Sequence, residues 1–446
     1  MTALTHPMMV LAAGAGCVAM LGCVQAVAGT WMVDRFDRRA RRATRAASAL
    51  ASSALASSAL ASSALASSRL PAVTVLKPLH GDEPMLEQAL IQFIEQDYPH
   101  LQIVFGVQDP ADPAIAVVQR LRQLYPGRDL SLVVDPTPHG PNRKIGNLIN
   151  MLPHAVHDLL VISDSDIHVA PDYLRQVVTT LLQPGVGLVT TLYRGVPASS
   201  NLMQRLAACQ INHNFMPGVL LSRLLGRQDC LGSTMALQRS TLAAVGGLSM
   251  LSGHVADDSV LGRLVRAQGL RIEIAPSLTA TTTAETSAAE LFAHELRWGR
   301  TVRMVEPVGY GLSAVQFPLF WAALAPLLAP ASAWTWLLFA SVWILRGVAA
   351  GRIDRLTGAA RVLPSLLLPF RDWLSAVVMA ASFTGRRVAW RGQTLHVSGW
   401  NAGVAGHAPP ILAPVSSTLA AASPAPRPLA PRPILVHAHQ TLAQGD

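Results

Sequence analysis

The sequence predicts an α/β domain with membrane helices on both sides of it. Between residues 71 and 306, short apolar runs alternate with helical patterns, which is typical of a parallel sheet with crossover helices. Charge-free apolar segments lie before and after this region. With 51% hydrophobic and 14% charged residues, the chain is too apolar for a soluble enzyme of its length.

Residues 1–33 contain no Asp, Glu, Lys or Arg, and residues 8–32 supply the roughly 20 residues that a membrane helix needs. A cleaved signal peptide is the alternative, but no basic region precedes the apolar stretch. Arginines follow it instead, at positions 35, 38, 39, 41, 42 and 45. By the positive-inside rule this run stays in the cytoplasm, so the N-terminus faces outward and the next domain inward.

The net charge of +9 raises nucleic-acid binding as an alternative explanation of the arginines. They lie next to the ends of apolar segments, however, and are not interleaved with aromatic residues, so we predict no nucleic-acid partner. The cysteines at positions 17, 23, 209 and 230 lack metal-ligand spacing. A disulfide framework is not expected in a cytoplasmic domain.

Residues 34–70 form a predicted linker between the first membrane helix and the α/β domain. Within it, residues 49–68 are four tandem copies of ALASS, without charge and with too few large side chains for a core. This composition predicts a low-complexity spacer, helical at most transiently, and we assign it no chemistry.

The α/β domain, residues 71–306, has charged residues where its predicted strands end. It contains both lysines of the chain, Lys77 and Lys144, among 35 basic residues in total. Lysine in so arginine-rich a chain suggests sites that need a compact ammonium, although two ordinary surface lysines are the alternative. Ligands of open α/β sheets bind at the carboxyl ends of strands. We therefore expect these strand-end residues to converge on one ligand-binding site: Lys77, Glu83, Asp109, Lys144, Asp164 and Asp166.

Asp164 and Asp166 follow the apolar run DLLVIS and form an Asp-x-Asp pair. Two carboxylates at a strand end can hold a divalent cation, which can neutralise a nucleotide diphosphate. A solvated turn is the alternative, but Lys144 upstream supports a diphosphate site. We therefore predict Mg²⁺ or Mn²⁺ at Asp164 and Asp166, with Lys144 nearby as a point charge.

Two further carboxylates have more than one interpretation. Asp109 ends the run IVFGVQD, where it could accept a hydrogen bond from the imide N–H of uracil or cap the following helix. Asp257 and Asp258 begin an amphipathic pattern, where acidic residues are favoured by the helix dipole. Alternatively, Asp258 is a general base that takes the proton from an acceptor hydroxyl, and Asp257 mainly affects the helix start.

Arg297 and Trp298 lie in the segment HELRW, on a predicted helix just before the second apolar region. Arg297 there could hold a leaving diphosphate, and Trp298 could form an aromatic wall. Anchoring at the membrane interface is the alternative role for Trp298.

Residues 307–345 are again free of charge and long enough for two membrane helices, with a break between Pro326 and Pro330. Arginines follow at 346, 352, 355 and 361, which marks a second cytoplasmic side. Residues 362–385 are interrupted by Arg371 and Asp372, which are costly in lipid and favour an interfacial or re-entrant helix. We assign residues 307–399 to this membrane region and predict that the Pro- and Ala-rich residues 400–446 are disordered.

Taken together, these segments resemble the ceramide glucosyltransferase family, and within it the bacterial hopanoid-biosynthesis-associated glycosyltransferases. The likeness covers residues 73–303 and continues loosely into the membrane region. It rests on LKPLHGDEP, EQDYPHLQIVFGVQDPADPAI, NRKIGNL, DSDIHV with PDYL, CLGSTMAL, VADDSVLG and LRWGRTVR. The closer likeness to the hopanoid-associated group rests on the QDYP…FGVQDPADPAI stretch and on GSTMAL.

The resemblance implies a GT-A (Rossmann-like) fold, a UDP-sugar donor, inversion at the anomeric carbon and a lipid acceptor in the membrane. By motif, the family's functional residues fall on Asp109 for the nucleotide, Asp164 and Asp166 for the metal, Asp258 for the base, and Arg297 with Trp298 for its Arg-Trp element. Two positions depart from the family pattern. His294 stands where Gln or Arg is usual, and Ser259 replaces the aromatic residue that commonly follows the base, so both bear on the acceptor.

We therefore predict a multi-pass protein of the cell inner membrane with a cytoplasmic catalytic domain. It would transfer N-acetylglucosamine or glucose from a UDP-sugar to a lipid hydroxyl in hopanoid biosynthesis, with a ceramide glucosyltransferase as the alternative. A processive polysaccharide synthase would need more membrane helices. A catalytically silent membrane scaffold is the alternative of another class, and the complete set of candidate carboxylates with Arg297 argues against it.

Overall fold

The computed structural model describes residues 2–56, 70–360, 362–385, 387–390 and 393–396. The part of the ALASS repeat beyond Ala56 lies outside these residues. The tail at 400–446, which the sequence predicts to be disordered, lies outside them as well.

The described part of the α/β domain contains an eight-stranded mixed sheet, in the order β3-β2-β1-β4-β7-β6-β8-β5. Its strands are β1 Val73–Pro78, β2 Leu101–Val107, β3 Asp129–Val134, β4 Leu159–Ser163, β5 Ile167–His168, β6 Val186–Pro197, β7 Thr234–Gln238 and β8 Arg271–Thr283. The first four strands are parallel, whereas β7 is antiparallel to both β4 and β6. The predicted α/β class is confirmed, but the sheet is mixed because β7 and the short edge strand β5 run opposite to their neighbours.

Helices cover both faces of this sheet. They are α2 Leu86–Ile94, α3 Ala114–Leu124, α4 Arg143–Met151, α5 Tyr173–Leu181, α6 Leu202–Gln210, α7 Met216–Leu224, α8 Arg239–Ala244, α9 Asp257–Ala267 and α10 Ala288–Val305. Along β1, Val73 and Val75 pack on one side with Phe93, and Leu76 packs on the other with Ile145. Because both faces are buried, the strands read as continuous apolar runs.

The first helix, α1 Thr2–Ala56, does not end with the apolar segment at residue 33. It continues through the basic run, where ion pairs one turn apart join Arg38 to Asp34 at 2.6 Å and Arg41 to Asp37 at 2.7 Å. Such pairs support an exposed helix. The first part of the predicted linker is therefore helical in this structure.

Apolar helices also follow the α/β domain, as predicted. They are α11 Pro307–Leu312, α12 Pro318–Leu328, α13 Ala333–Leu356 and α14 Leu368–Ser382, followed by the hairpin β9 Arg387–Trp390 and β10 Gln393–His396. In the described residues, two helices are long and apolar enough to cross a membrane, at 6–46 and 333–356. A third crossing is formed if the pair at 307–316 and 318–328, bent by 64°, is one span.

Two contacts of α1 show that α13 lies alongside it, from its N-terminal part to the start of the basic run. Ser332 Oγ lies 3.8 Å from Met9 Sδ, so the chain between α12 and α13 is level with the N-terminal part of α1. Near the end of α13, Arg352 Nη2 lies 3.7 Å from Oδ1 of Asp34, at the start of the basic run. The interval from Met9 to Asp34 is about 37 Å at 1.5 Å per residue, enough for a hydrocarbon core of about 30 Å.

Small residues on one side of α1 allow this close packing. Ala12, Ala15 and Ala19 are buried, and Gly22 follows on the same face. A Cβ at Gly22 would lie 2.4 Å from the carbonyl oxygen of Val315, so any side chain there forces the helices apart. Small residues are typical of helix contacts in membranes, because they let backbones approach each other.

We expect Gly22→Val to destabilise the helix bundle, whereas Gly14→Val should not. Gly14 has nothing within 4 Å of a built Cβ and carries the same change in helix propensity. Overpacking costs about 1–3 kcal/mol, which should lower the unfolding temperature in detergent by several degrees. Equal unfolding temperatures for the two variants would contradict the packing described here.

Candidate functional site

The Asp-x-Asp segment lies at the centre of the sheet's carboxyl edge. It follows β4, which is buried throughout and lies between β1 and β7. Asp166 Oδ2 accepts a hydrogen bond from Thr281 Oγ1 on β8. Burial, and then the charge of Asp164, raise the pKa of Asp166. The two carboxylates are thus held where their combined charge is unfavourable and where a cation would relieve it.

Lys144 joins this segment to the helix that carries Asp257 and Asp258. Its Nζ lies 2.6 Å from Asp164 Oδ1 and 3.6 Å from Asp257 Oδ2. Burial opposes the ammonium, but the carboxylates of Asp164 and Asp257 outweigh it and raise the pKa of Lys144. Lys144 is therefore a fixed cation between two separate elements of the fold.

Asn142 sets the position of Lys144. Its Oδ1 caps α4 by accepting a hydrogen bond from the Ile145 N–H at 3.1 Å. Its Nδ2 donates to the His254 carbonyl oxygen at 2.7 Å, and its main-chain N–H donates to the Ser252 carbonyl oxygen at 3.0 Å. The segment NRKIGNL therefore ties the start of α4 to the loop before α9, a role that its sequence pattern does not reveal.

Lys77 lies beneath the site rather than on its surface. Its side chain is fully buried, and its Nζ donates to the main-chain oxygen of Asp164 and lies 4.0 Å from the centre of the Phe93 ring. Burial lowers the pKa of Lys77 to about 7, against the opposing effect of Asp166, Asp164 and Glu83. In this structure Lys77 supports the Asp-x-Asp main chain, and its direct contact with a diphosphate stays a prediction.

Asp257 and Asp258 occupy the first turn of α9 and have different surroundings. Asp257 is buried, with its Oδ1 3.5 Å from Asn142 Nδ2. Asp258 Oδ1 accepts a hydrogen bond from the Ser259 N–H at 2.7 Å. Burial, and then repulsion by Asp257, raise the pKa of Asp258 to about 7. A carboxyl group with such a pKa can take up a proton near neutral pH, as a general base must.

The loop before β7 approaches Asp258 closely. Because β7 runs antiparallel to β4, this loop reaches the same edge of the sheet as Asp164. Gly232 in the loop has a φ of +73°, and a Cβ there would lie 2.9 Å from Asp258 Oδ2, so the position favours glycine twice over.

Tyr193 on β6 also belongs to this cluster. Burial raises the pKa of its hydroxyl, and the carboxylates of Asp258, Asp166 and Asp164 raise it further. Its ring packs on Phe215 with 4.8 Å between ring centres. Tyr193 could not be identified from the sequence, because one tyrosine within a strand carries no motif.

The predicted nucleotide-binding residue, Asp109, follows β2. Its side chain is exposed, and its Oδ1 accepts a hydrogen bond from the Ala111 N–H at 2.9 Å. It does not cap α3, since Asp112 Oδ1 accepts from the Ala114 N–H at 2.9 Å. The carboxylate of Asp112 also accepts from the Gly81 N–H at 3.0 Å. Asp112 thus ties the loops after β1 and β2 together and leaves Asp109 facing solvent.

Arg297 and Trp298 lie on α10, together with His294. The rings of His294 and Trp298 meet edge to face with 4.7 Å between their centres. His294 Nδ1 is hydrogen-bonded to the buried carboxylate of Glu285, which follows β8. Burial opposes the charge of Glu285, but the hydrogen bond from His294 lowers its pKa. The histidine that departs from the family pattern therefore has a dedicated partner in this fold.

Asp164 and Asp166 suit a divalent cation of the Mg²⁺ or Mn²⁺ type, because their ligand atoms are hard carboxylate oxygens. Within the described ranges, no group of three or more His, Cys, Asp or Glu side chains is arranged as a metal site. Mg²⁺ commonly takes one or two protein carboxylates and completes its shell with substrate phosphates and water. The ligand set therefore fits a cation that binds together with a diphosphate.

A cavity of about 680 Å³ lies at the opposite edge of the sheet, lined among others by Ala72, Leu159 and Gln238. β1 and β4 begin at this edge, so the cavity contains none of the candidate residues. The charged residues, and not the size of a cavity, locate the candidate site.

Residues 42–402 match the family described as Glycosyl transferase family 21. The chain is 23% identical over 229 residues to Ceramide glucosyltransferase 1 of Caenorhabditis elegans, covering 51% of this chain and 49% of that protein. It is 33% identical over 121 residues to the ceramide glucosyltransferase of Candida albicans, covering 24% of this chain and 22% of that protein. The chain therefore spans about half the length of these relatives, or less.

Solved structures also resemble the chain. A mannosyltransferase from Pyrobaculum calidifontis, in complex with GDP-Man and Mn²⁺, has a TM-score of 0.42 and 19% identity, covering 82% of this chain and 99% of that chain. Glucosyl-3-phosphoglycerate synthase from Mycobacterium tuberculosis has a TM-score of 0.34 and 20% identity, covering 53% of this chain and 79% of that chain.

We expect Asp164→Asn and Asp166→Asn each to weaken Mn²⁺ binding in the presence of UDP by about tenfold or more, because each removes a charged ligand oxygen. Electron paramagnetic resonance of free Mn²⁺ measures the affinity. Asp97→Asn is the matched control, since the Asp97 side chain is 74% exposed and pairs with Arg175. Unchanged Mn²⁺ affinity in both site variants would rule out this metal site.

Proposed function

The chain belongs to glycosyl transferase family 21, and we propose that it transfers a sugar from a UDP-sugar to a hydroxyl group of a membrane lipid. The observation that carries this proposal is the contact chain from Asp164 through Lys144 to Asp257, next to Asp258. It joins carboxylates suited to a metal-bound diphosphate and a carboxyl group suited to general base catalysis. A glycosyl transfer with inversion needs the leaving diphosphate and the base on opposite sides of one sugar carbon.

The donor would lie across the carboxyl edge of the sheet. Asp109, exposed after β2, would accept the imide N–H of uracil. Asp164 and Asp166 would hold the divalent cation, which neutralises the diphosphate when bound. Lys144 would add a fixed positive charge beside it. Lys77 would support the Asp-x-Asp main chain from below, and Glu83 stays a predicted donor-site residue.

The proposed reaction is a single displacement with inversion. Asp258 takes the proton of the lipid hydroxyl while that oxygen forms a bond to the anomeric carbon, and the bond from this carbon to the diphosphate oxygen breaks. The electron pair leaves with UDP, whose charge Arg297 would stabilise. Trp298 would form a wall of the site on the acceptor side.

The proposed acceptor is a hopanoid, and the proposed sugar is N-acetylglucosamine or glucose. Support for a hopanoid acceptor comes from the QDYP…FGVQDPADPAI and GSTMAL segments, which resemble those of the hopanoid-associated group. Ceramide is a second candidate, supported by the similarity to curated ceramide glucosyltransferases. The departures at His294 and Ser259 lie on the side where the acceptor would bind.

We propose that the protein lies in the cell inner membrane with its catalytic domain in the cytoplasm. The arginines after residue 33 and those at positions 352, 355 and 361 support this orientation, whereas Arg346 is buried and lies near Asp372. The contact between Arg352 and Asp34 supports it too, since it brings the two basic regions to one level. UDP-sugars are made in the cytoplasm, so the donor would be available on that side.

The proposed activity can be tested with a deletion strain. Mass spectrometry of its lipids should show the loss of one glycolipid, which identifies sugar and acceptor together, and the wild-type gene should restore it. Asp258→Asn keeps size and hydrogen-bonding shape but cannot take a proton at neutral pH, so turnover should fall by about a hundredfold. Asp257→Asn should be milder. An unchanged lipid profile in the deletion strain would refute the function, and full activity of Asp258→Asn would refute this base.

The orientation can be tested with reporter fusions at about residue 70 and about residue 400, both of which should report cytoplasm, because an even number of crossings separates them. A fusion at about residue 330, between α12 and α13, serves as the opposite control and should report the outside. An external signal at residue 70 would overturn the orientation.

A further inference from the structure

Helix α10, which carries Arg297 and Trp298, packs along α14 in the membrane region. We call their contact the α10–α14 seam and define it by Glu295, Gly299, Arg300 and Arg303 on α10 and by residues 371–385. At its centre, Glu295 Oε2 lies 2.6 Å from Arg371 Nη2. The Arg371 side chain is fully buried and that of Glu295 is 9% exposed. A charge pair from elements so distant in sequence is thus enclosed between the two helices.

A third helix fixes the same ion pair. Arg371 Nη2 also donates to Ser375 Oγ at 2.9 Å, and Ser375 Oγ donates to Gln210 Oε1 at 3.0 Å. Gln210 ends α6, which belongs to the α/β domain. The guanidinium therefore has a defined place from which it can hold Glu295.

Further contacts extend the seam towards the end of α10. A Cβ at Gly299 would lie 2.6 Å from the Tyr310 hydroxyl oxygen and 3.3 Å from Ser382 Cβ, so the helices approach closely there. Arg300 Nη2 donates to the Thr384 carbonyl oxygen at 2.8 Å, and Arg303 Nη2 donates to the Gly385 carbonyl oxygen at 3.0 Å. Both carbonyl groups lie just beyond the end of α14, so the two arginines hold the chain where it leaves this helix.

Helix α14 is itself held by the other membrane helices. Asp372 Oδ2 accepts a hydrogen bond from the Leu319 N–H at the start of α12, at 3.0 Å. Asp372 Oδ1 lies 3.8 Å from Arg346 Nη2 on α13. The contacts thus continue from the apolar helices through α14 to α10.

The direction of α10 makes this seam relevant to the candidate site. Successive residues of a helix point about 100° apart, so when Glu295 faces α14, Arg297 points about 200° away from it. A turn or slide of α10 would displace Arg297 and Trp298 together. A buried ion pair contributes little net stability. It can instead serve to fix one relative arrangement of the two helices that it joins.

We infer that Glu295 and Arg371 are positioning residues, which set the rotation and axial position of α10 so that Arg297 and Trp298 reach the reacting groups. This inference rests on the proposed function for the roles of Arg297 and Trp298. It gives helix α14 a part in positioning the site, in addition to any part in anchoring. It also predicts that sugar transfer depends on an ion pair that touches neither substrate.

The first test measures sugar transfer by purified full-length variants. Glu295→Gln and Arg371→Gln should each lower kcat for the lipid acceptor by about tenfold or more, because small displacements of catalytic groups are costly. The KM for the UDP-sugar should stay within about twofold, since its proposed ground-state contacts at Asp109, Lys144 and the Asp-x-Asp pair lie on other elements, whereas Arg297 acts on charge that develops as UDP leaves. The exchanged pair, Glu295→Arg with Arg371→Glu, should recover part of kcat.

Arg223→Gln is the matched control. It breaks an Arg–Glu contact of 2.8 Å with Glu273, which joins α7 to β8 away from the seam. Its kcat should remain near the wild-type value. The unfolding temperature and the folded fraction of every variant are measured in parallel, so that a loss of kcat can be separated from a loss of stability. If the seam variants lose stability but keep kcat near the wild-type value, the inference is overturned.

The second test does not require activity. Spin labels at Val302→Cys on α10 and Leu124→Cys on α3, in a Cys17→Ser background, report the position of α10 relative to the sheet by double electron–electron resonance. We expect Glu295→Gln to broaden or shift this distance distribution and Arg371→Lys, which keeps the charge, to change it less. Identical distributions in all variants overturn the positioning role. Absence of any sugar transfer by the wild type refutes the proposed function instead.

Discussion

The ammonium of Lys144, between Asp164 and Asp257, is the contact on which the candidate site depends. Carboxylates from β4 and α9 are gathered at one edge of the sheet, where burial opposes their charge. A compact ammonium with three donors can serve two carboxylates from different directions, which a planar guanidinium does less well. Lys144 therefore sets the distance between the proposed donor and acceptor sides. Asn142 fixes the position of Lys144 through its hydrogen bonds at the start of α4.

The sequence predicted the α/β class and the family resemblance, and both are confirmed. Strand-end residues could be identified because parallel strands place their carboxyl ends together, which brings Lys144 to Asp164. Two features could not be predicted in this way. The direction of β7 depends on the long connection through α6 and α7, and the burial of Lys77 depends on Phe93 packing across its ammonium.

In the region 307–399, too, some features could be predicted from the sequence and others could not. Its apolar segments and the arginines beside them were evident from composition, whereas the partners of Arg371 and Asp372 were not. Adjacent in sequence, these residues are not paired with each other but with Glu295 and with Leu319 N–H and Arg346. Partners from other helices lie beyond what sequence spacing reports, although the cost of burying an unpaired charge predicts that partners exist.

Helix α1 connects the apolar segment to the α/β domain without a break. It continues through the apolar segment and the basic run, and Thr44 Oγ1 donates to Asp172 Oδ2 at the start of α5 at 2.9 Å. A continuous helix has no hinge, so a tilt of its membrane part is passed directly to the domain it touches. The carboxyl edge of the sheet is consequently kept at a set distance from the apolar part of α1, and the proposed lipid acceptor would have to reach across that distance to the site.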